Sequence, residues 1–133
     1  MGAYADEPHY GRFPDLLAKC EKYFNDTLDP ILKNYPKGEK FCLTQDTKRA
    51  AANLLHAVVM ANNLSSRRKT IEWLEKADAE KNMLLVWLKS ANSRRYITNR
   101  MLAYQQSQVF EIGKLIGGAQ RYINESAQKV PAR

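Results

Sequence analysis

The sequence predicts an all-α chain: an antiparallel, up-down-up-down four-helix bundle. Three observations carry that reading. Apolar residues recur at three- and four-residue spacing through four long segments, and proline and glycine gather at the segment ends, leaving the middles almost clean. No stretch alternates polar and apolar residues as a half-buried strand does. With 133 residues the chain has room for one core. Residues 1–13, with Pro8, Gly11 and no apolar period, read as a flexible N-terminal arm. Residues 14–126 read as the bundle, and 127–133 as a frayed C-terminal tail.

The first helix starts near Asp15 and carries Leu16, Leu17, Cys20, Tyr23, Phe24, Thr27, Leu28, Ile31 and Leu32 at helical spacing, ending before Pro36. Pro30 lies inside it. Lacking an amide donor and crowding the Asp26 carbonyl, it predicts a kink or a restart between residues 26 and 30. Tyr35 to Phe41 form a connection with its turn at Pro36 and Gly38, and Thr44 or Thr47 is placed to cap the next helix. That second helix runs to about Asn63 with Ala51, Leu54, Leu55, Val58 and Ala61 inward. Ser65 or Ser66 caps a third, whose apolar side is Ile71, Leu74, Ala77, Leu84, Leu85 and Leu88. A short break is expected at Ala91-Asn92-Ser93. The fourth helix begins near Thr98 and runs into the 120s, with Met101, Gln105, Val109, Ile112, Ile116, Ala119 and Ile123 in one stripe.

Three glycines, Gly113, Gly117 and Gly118, interrupt that last helix. Each costs about 1 kcal/mol relative to alanine. Gly113 and Gly117 fall one turn apart on one face, where a missing side chain admits another helix, a second chain or a ligand backbone. Contact, not catalysis, is the expected use of this segment.

Composition narrows the function further. Hydrophobic residues make up 44% and charged residues 26% of the chain, and no apolar run reaches the length of a membrane span. Met1 to Glu7 have neither the basic start nor the apolar middle of a signal peptide, so the expected location is the cytoplasm. Cys20 and Cys42 have neither metal-ligand nor disulfide-framework spacing and read as free thiols; no metal and no cofactor are expected. His9 and His56 are isolated from any partner that would make either a catalytic base. No metal-binding HExxH, no phosphate-cradling glycine loop and no nucleophile elbow occurs, so the chain is not expected to be an enzyme. Asp78, among apolar neighbours, either pairs with Lys81 three residues on or accepts a hydrogen bond from another helix.

Charge is the more telling property. Twenty-one basic residues against 14 acidic give a net charge of +7. The surplus is uneven: residues 1–29 hold six acids and three bases, whereas between Glu80 and Glu111 there are five bases and no acid. Such asymmetry favours a polyanionic partner. Lys89, Arg94, Arg95 and Arg100 are the leading contacts, with Arg67, Arg68 and Lys69 a second group. These groups fall at successive helix junctions, hence at opposite ends of an antiparallel bundle, and do not form one pocket in a single protomer. Tyr96 and Tyr104 lie among the bases, where a tyrosine either stacks on an unpaired base or packs in the core. The pattern suits neutralisation of a phosphate backbone, with no signal for sequence reading.

Three further pieces carry a resemblance. Tyr35-Pro36-Lys37-Gly38-Glu39-Lys40-Phe41, Leu74-Glu75-Lys76-Ala77-Asp78 and Glu111-Ile112-Gly113-Lys114-Leu115-Ile116-Gly117-Gly118 occur in the order and separation seen in a known four-helix-bundle family. That family includes Avd, the accessory variability determinant of diversity-generating retroelements, and the proteins encoded in 23S ribosomal RNA intervening sequences. The chain resembles it over roughly residues 28–123, and Met83 to Lys89 look closer to the retroelement branch. Two positions depart: many relatives have tryptophan where this chain has Ala119, and relatives often carry an arginine on the third helix where this one is apolar. The resemblance implies a homopentameric, barrel-like assembly that binds nucleic acid and a reverse transcriptase. The transcriptase would supply the chemistry of mutagenic cDNA synthesis from a template RNA. The alternatives are an intervening-sequence protein of unknown role and a purely structural oligomerisation module.

Overall fold

A computed structural model describes residues 12–129. Residues 1–11 of the expected arm and 130–133 of the expected tail lie outside the described residues. Four helices pack against each other. The first, α1, is α-helical over Pro14–Lys22, π-helical over Tyr23–Leu28 and α-helical again over Asp29–Leu32. A single 3₁₀ turn, Lys37–Glu39, leads to α2, Leu43–Asn63; α3 spans Arg67–Ser93 and α4 spans Asn99–Lys129.

Contacts between helix ends fix the directions. At one end the Phe13 amide donates to Asn62 Oδ1 at 2.6 Å, and the Arg12 guanidinium donates to the Leu64 carbonyl and to Thr70 Oγ1. The Phe13 ring meets Tyr122 edge-on. The start of α1, the end of α2, the start of α3 and the end of α4 therefore share this end. At the other, Tyr35 packs on Tyr96 with ring centroids 5.6 Å apart, and Glu39 is bonded to Arg94. Neighbouring helices are antiparallel, as expected.

The proline inside α1 is absorbed without breaking the helix. An α-helical turn would leave the Asp26 carbonyl facing the ring of Pro30, which has no N–H to offer. The chain widens by one residue instead, and the Asp29 amide donates to the Phe24 carbonyl five residues back. The π-turn meets a built polar contact in the core: Gln105 of α4, 2% exposed, accepts from the Tyr23 hydroxyl at 2.7 Å and donates to the Thr27 carbonyl at 3.2 Å. Burial pushes the Tyr23 hydroxyl pKa far up, so it stays a donor.

The core follows the predicted stripes closely. Leu54, Val58, Leu74, Leu84, Leu88, Val109, Ile112 and Ile116 are all fully buried, each such side chain stabilising the fold by roughly 1.5–3 kcal/mol. Leu55, Ile71, Leu85 and Met101 only flank it. Ala50 and Ala57 join the expected Ala51 and Ala61 on the buried side of α2, where small side chains let α3 approach.

Two local expectations are corrected. Neither Thr44 nor Thr47 caps α2: Thr47 Oγ1 donates back to the Leu43 carbonyl, and the Leu43 amide turns to Glu39 Oε1. The break expected at Ala91-Asn92-Ser93 comes later, because α3 continues through Ser93 with Ala91 fully buried. The cap of α3 is one of the two expected serines, Ser66 accepting from the Lys69 amide, and at the start of α4 Thr98 accepts from the Met101 amide.

Candidate nucleic-acid interface

The turn that ends α3 places the basic pair. Arg94 is the C-cap, and the next residue, Arg95, adopts a left-handed backbone with φ of 65°. The Arg95 amide donates to the Asn92 carbonyl and the Tyr96 amide to the Ala91 carbonyl, each at 2.9 Å. This is a Schellman ending, whose left-handed position is normally glycine because any Cβ there is strained by about 1 kcal/mol. An exposed arginine occupies it here.

Arg94 has a structural partner. Its guanidinium lies 3.0 Å from Glu39 Oε2, and the Tyr96 hydroxyl donates to the same oxygen at 2.5 Å. The Tyr96 bond first, and Arg94 beside it, hold the Glu39 carboxyl below its usual range; the same bond raises the Tyr96 hydroxyl. Glu39 thus ties the α1–α2 connection to the α3–α4 connection. Tyr96, placed among the bases by the sequence, spends its hydroxyl on this tie and its ring on Tyr35.

Lys89, Arg95 and Arg100 are exposed toward the same end. Arg100 lines a cleft between α1 and α4 with Asp26, Thr27, Ile31, Met101 and Tyr104, and Tyr104 stays 55% exposed. Arg67, Arg68 and Lys69 are exposed in the first turn of α3, at the far end of a helix roughly 40 Å long. The two groups stand at opposite ends, so one ligand reaches both only by running along the bundle.

The glycines divide. An added Cβ at Gly113 would lie 3.2 Å from Lys81 Cδ and 3.3 Å from its Nζ, so the close neighbour is a side chain of α3. Lys81 is held there by Asp78 Oδ1 at 2.9 Å, the first of the two roles open to that acid. Among the described residues, a Cβ at Gly117 or Gly118 would meet only Arg121 of the same helix, at 3.7 and 3.9 Å. Gly118 faces a shallow cleft lined also by Phe13, Leu16, Ala119 and Tyr122.

One residue escaped the sequence reading of the site. Phe41 is 78% exposed, the most exposed large apolar side chain among the described residues, with Lys40 Nζ 5.4 Å from its ring centroid. Its sequence signal is an aromatic directly after a base, the same kind of neighbourhood that marks Tyr96.

Residues 16–123, which include both tied connections, match the model of the bAvd-like family. The chain belongs to the bAvd-like family. Neither a curated protein nor a solved structure matches it. The bAvd-like match takes in all of α2 and α3, most of α1 and α4, and Arg67, Arg68, Lys69, Lys89, Arg94, Arg95 and Arg100, together with the Glu39 tie. Among the described residues, no cluster of three or more His, Cys, Asp or Glu is placed to hold a metal ion, and no helix is long and apolar enough to cross a membrane.

Proposed function

We propose that this protein is a non-catalytic, nucleic-acid-binding accessory subunit of a reverse transcriptase in a diversity-generating retroelement. It assembles as a closed homo-oligomer of five chains and supports mutagenic cDNA synthesis from template RNA. The observation that carries the reading is the bAvd-like match over residues 16–123. The acid-free stretch between Glu80 and Glu111 supports it, because the exposed Lys89, Arg95 and Arg100 lie there without acidic neighbours in sequence. Arg94 is set apart from these contacts, since its charge already serves Glu39.

Binding to structured RNA and to an RNA–DNA hybrid tests the reading. Affinity should fall steeply with salt, since each neutralised phosphate releases counterion. Changing Lys89, Arg95 and Arg100 together to glutamine should weaken binding across unrelated sequences and lower the salt slope by about 1 per lost contact, with helical content unchanged. Mass photometry of the parent should give five chains. A parent that binds neither ligand at low salt overturns the nucleic-acid role.

A further inference from the structure

The end of the bundle that carries Arg95 presents a second connection, and side-chain bonds join the two. Glu39 sits in the α1–α2 connection and receives Arg94 at 3.0 Å and the Tyr96 hydroxyl at 2.5 Å from the α3–α4 connection. The Glu39 carboxylate also takes the Leu43 amide, so the turn leading into α2 is fixed from both sides. Phe41 stands on this fixed turn, 78% exposed.

Its surroundings are basic. Residues 33–49 contain five bases and two acids. Both acids are engaged, Glu39 by Arg94 and Asp46 by Arg49 at 3.3 Å. Lys37 and Lys40 precede the phenylalanine and form no ion pair among the described residues, Lys40 Nζ lying 5.4 Å from the ring centroid, and Arg95 adds charge from the neighbouring connection at a strained backbone position. An exposed phenylalanine alone needs no explanation. An exposed ring on a tied turn, with cations beside it in sequence and on the neighbouring connection, matches the way proteins hold unpaired bases, with the ring under the base and the cations on the phosphates.

We propose that this end of the bundle binds single-stranded nucleic acid, Phe41 stacking on an unpaired base while Lys37, Lys40 and Arg95 contact the flanking phosphates. The proposal rests on the nucleic-acid role above and specifies which form of the polymer this end takes. A duplex offers the same phosphates but keeps its bases stacked on one another, so it gains nothing from the ring.

The test compares Phe41→Ala, Phe41→Leu and Phe41→Tyr with the parent, on single-stranded RNA carrying 2-aminopurine and on a duplex of equal length. Phe41→Ala and Phe41→Leu should each lose about 5-fold or more in single-strand affinity, with the 2-aminopurine quenching reduced. Phe41→Tyr should bind and quench like the parent, and duplex affinity should hold in all three. Particle mass should also stay that of the parent. Single-strand binding by Phe41→Ala equal to the parent's overturns the stacking role while leaving the nucleic-acid role intact. Single-strand affinity and quenching in Phe41→Leu equal to the parent's overturn it, since an apolar side chain without a ring then suffices, and a changed particle mass overturns it in favour of a contact between copies. No binding of either polymer by the parent overturns the underlying role instead.

Discussion

Lys81 of α3 lies across the position that a side chain at Gly113 of α4 would take, its Cδ 3.2 Å and its Nζ 3.3 Å from an added Cβ. The lysine is also paired with Asp78 and is only 16% exposed, so it cannot swing away without breaking that pair. Gly113→Leu should therefore destabilise the chain by about 1–3 kcal/mol through overpacking. Lys81→Ala should recover part of that loss, giving a coupling of at least about 0.5 kcal/mol in a double-mutant cycle read by urea unfolding. Gly117 has no such neighbour among the described residues, and Gly117→Ala should raise stability by up to about 1 kcal/mol through helix propensity. Additive effects at positions 81 and 113 would mean that the close approach does not explain the glycine.

The buried face of each helix was readable because burial repeats with the helical period: Gln105, Val109, Ile112, Ile116, Ala119 and Ile123 are all buried as the spacing required. The π-turn was foreshadowed by Pro30, whose missing amide is a local fact. What periodicity does not encode is where a polar side chain goes once the chain is folded. Glu39 and Arg94 are far apart in sequence, so nothing local removes Arg94 from the set of free cations. At Gly113 the close neighbour is a lysine stem, which composition counts as surface charge and glycine spacing does not name. Arg95 was found by its charge alone. Its left-handed backbone depends on where α3 stops, and the sequence placed that stop a few residues early.

Arg95 offers a separation of stability from binding. Glycine suits its backbone better, by about 1 kcal/mol before the added flexibility of the unfolded chain is counted. Arg95→Gly should raise the unfolding free energy by roughly 0.5–1 kcal/mol, or Tm by about 2–4 °C, while lowering affinity for single-stranded RNA. A variant that gains stability and binds as well as the parent would show that the arginine has no part in the interface. One that loses stability would show that its side chain supports the turn.

The tie between Glu39 and Tyr96 requires an ionised carboxylate and a neutral phenol, and this sets a pH window. The Glu39 pKa is lowered from its ordinary 4.5, first by the Tyr96 hydrogen bond, with the Leu43 amide and Arg94 adding to it. Its contribution is complete above 4.5 and is lost as pH falls through the lowered folded value, because the unfolded chain takes up the proton more readily. Tyr96 is raised from its ordinary 10.0, first by the bond to Glu39, so its contribution is complete below 10.0 and lost as pH climbs through the raised value. The difference in unfolding free energy between the parent and Glu39→Gln should therefore form a plateau from about pH 5 to about pH 9 and shrink on both sides, because the raised Tyr96 value depends on Glu39 as well. Tyr96→Phe should show the same plateau, shrinking on both sides. These profiles come from urea unfolding at fixed ionic strength, since Arg94 is half-exposed and salt screens its share. A difference for Glu39→Gln that persists undiminished well below pH 4.5 would mean that the carboxylate's charge does not hold the two connections together.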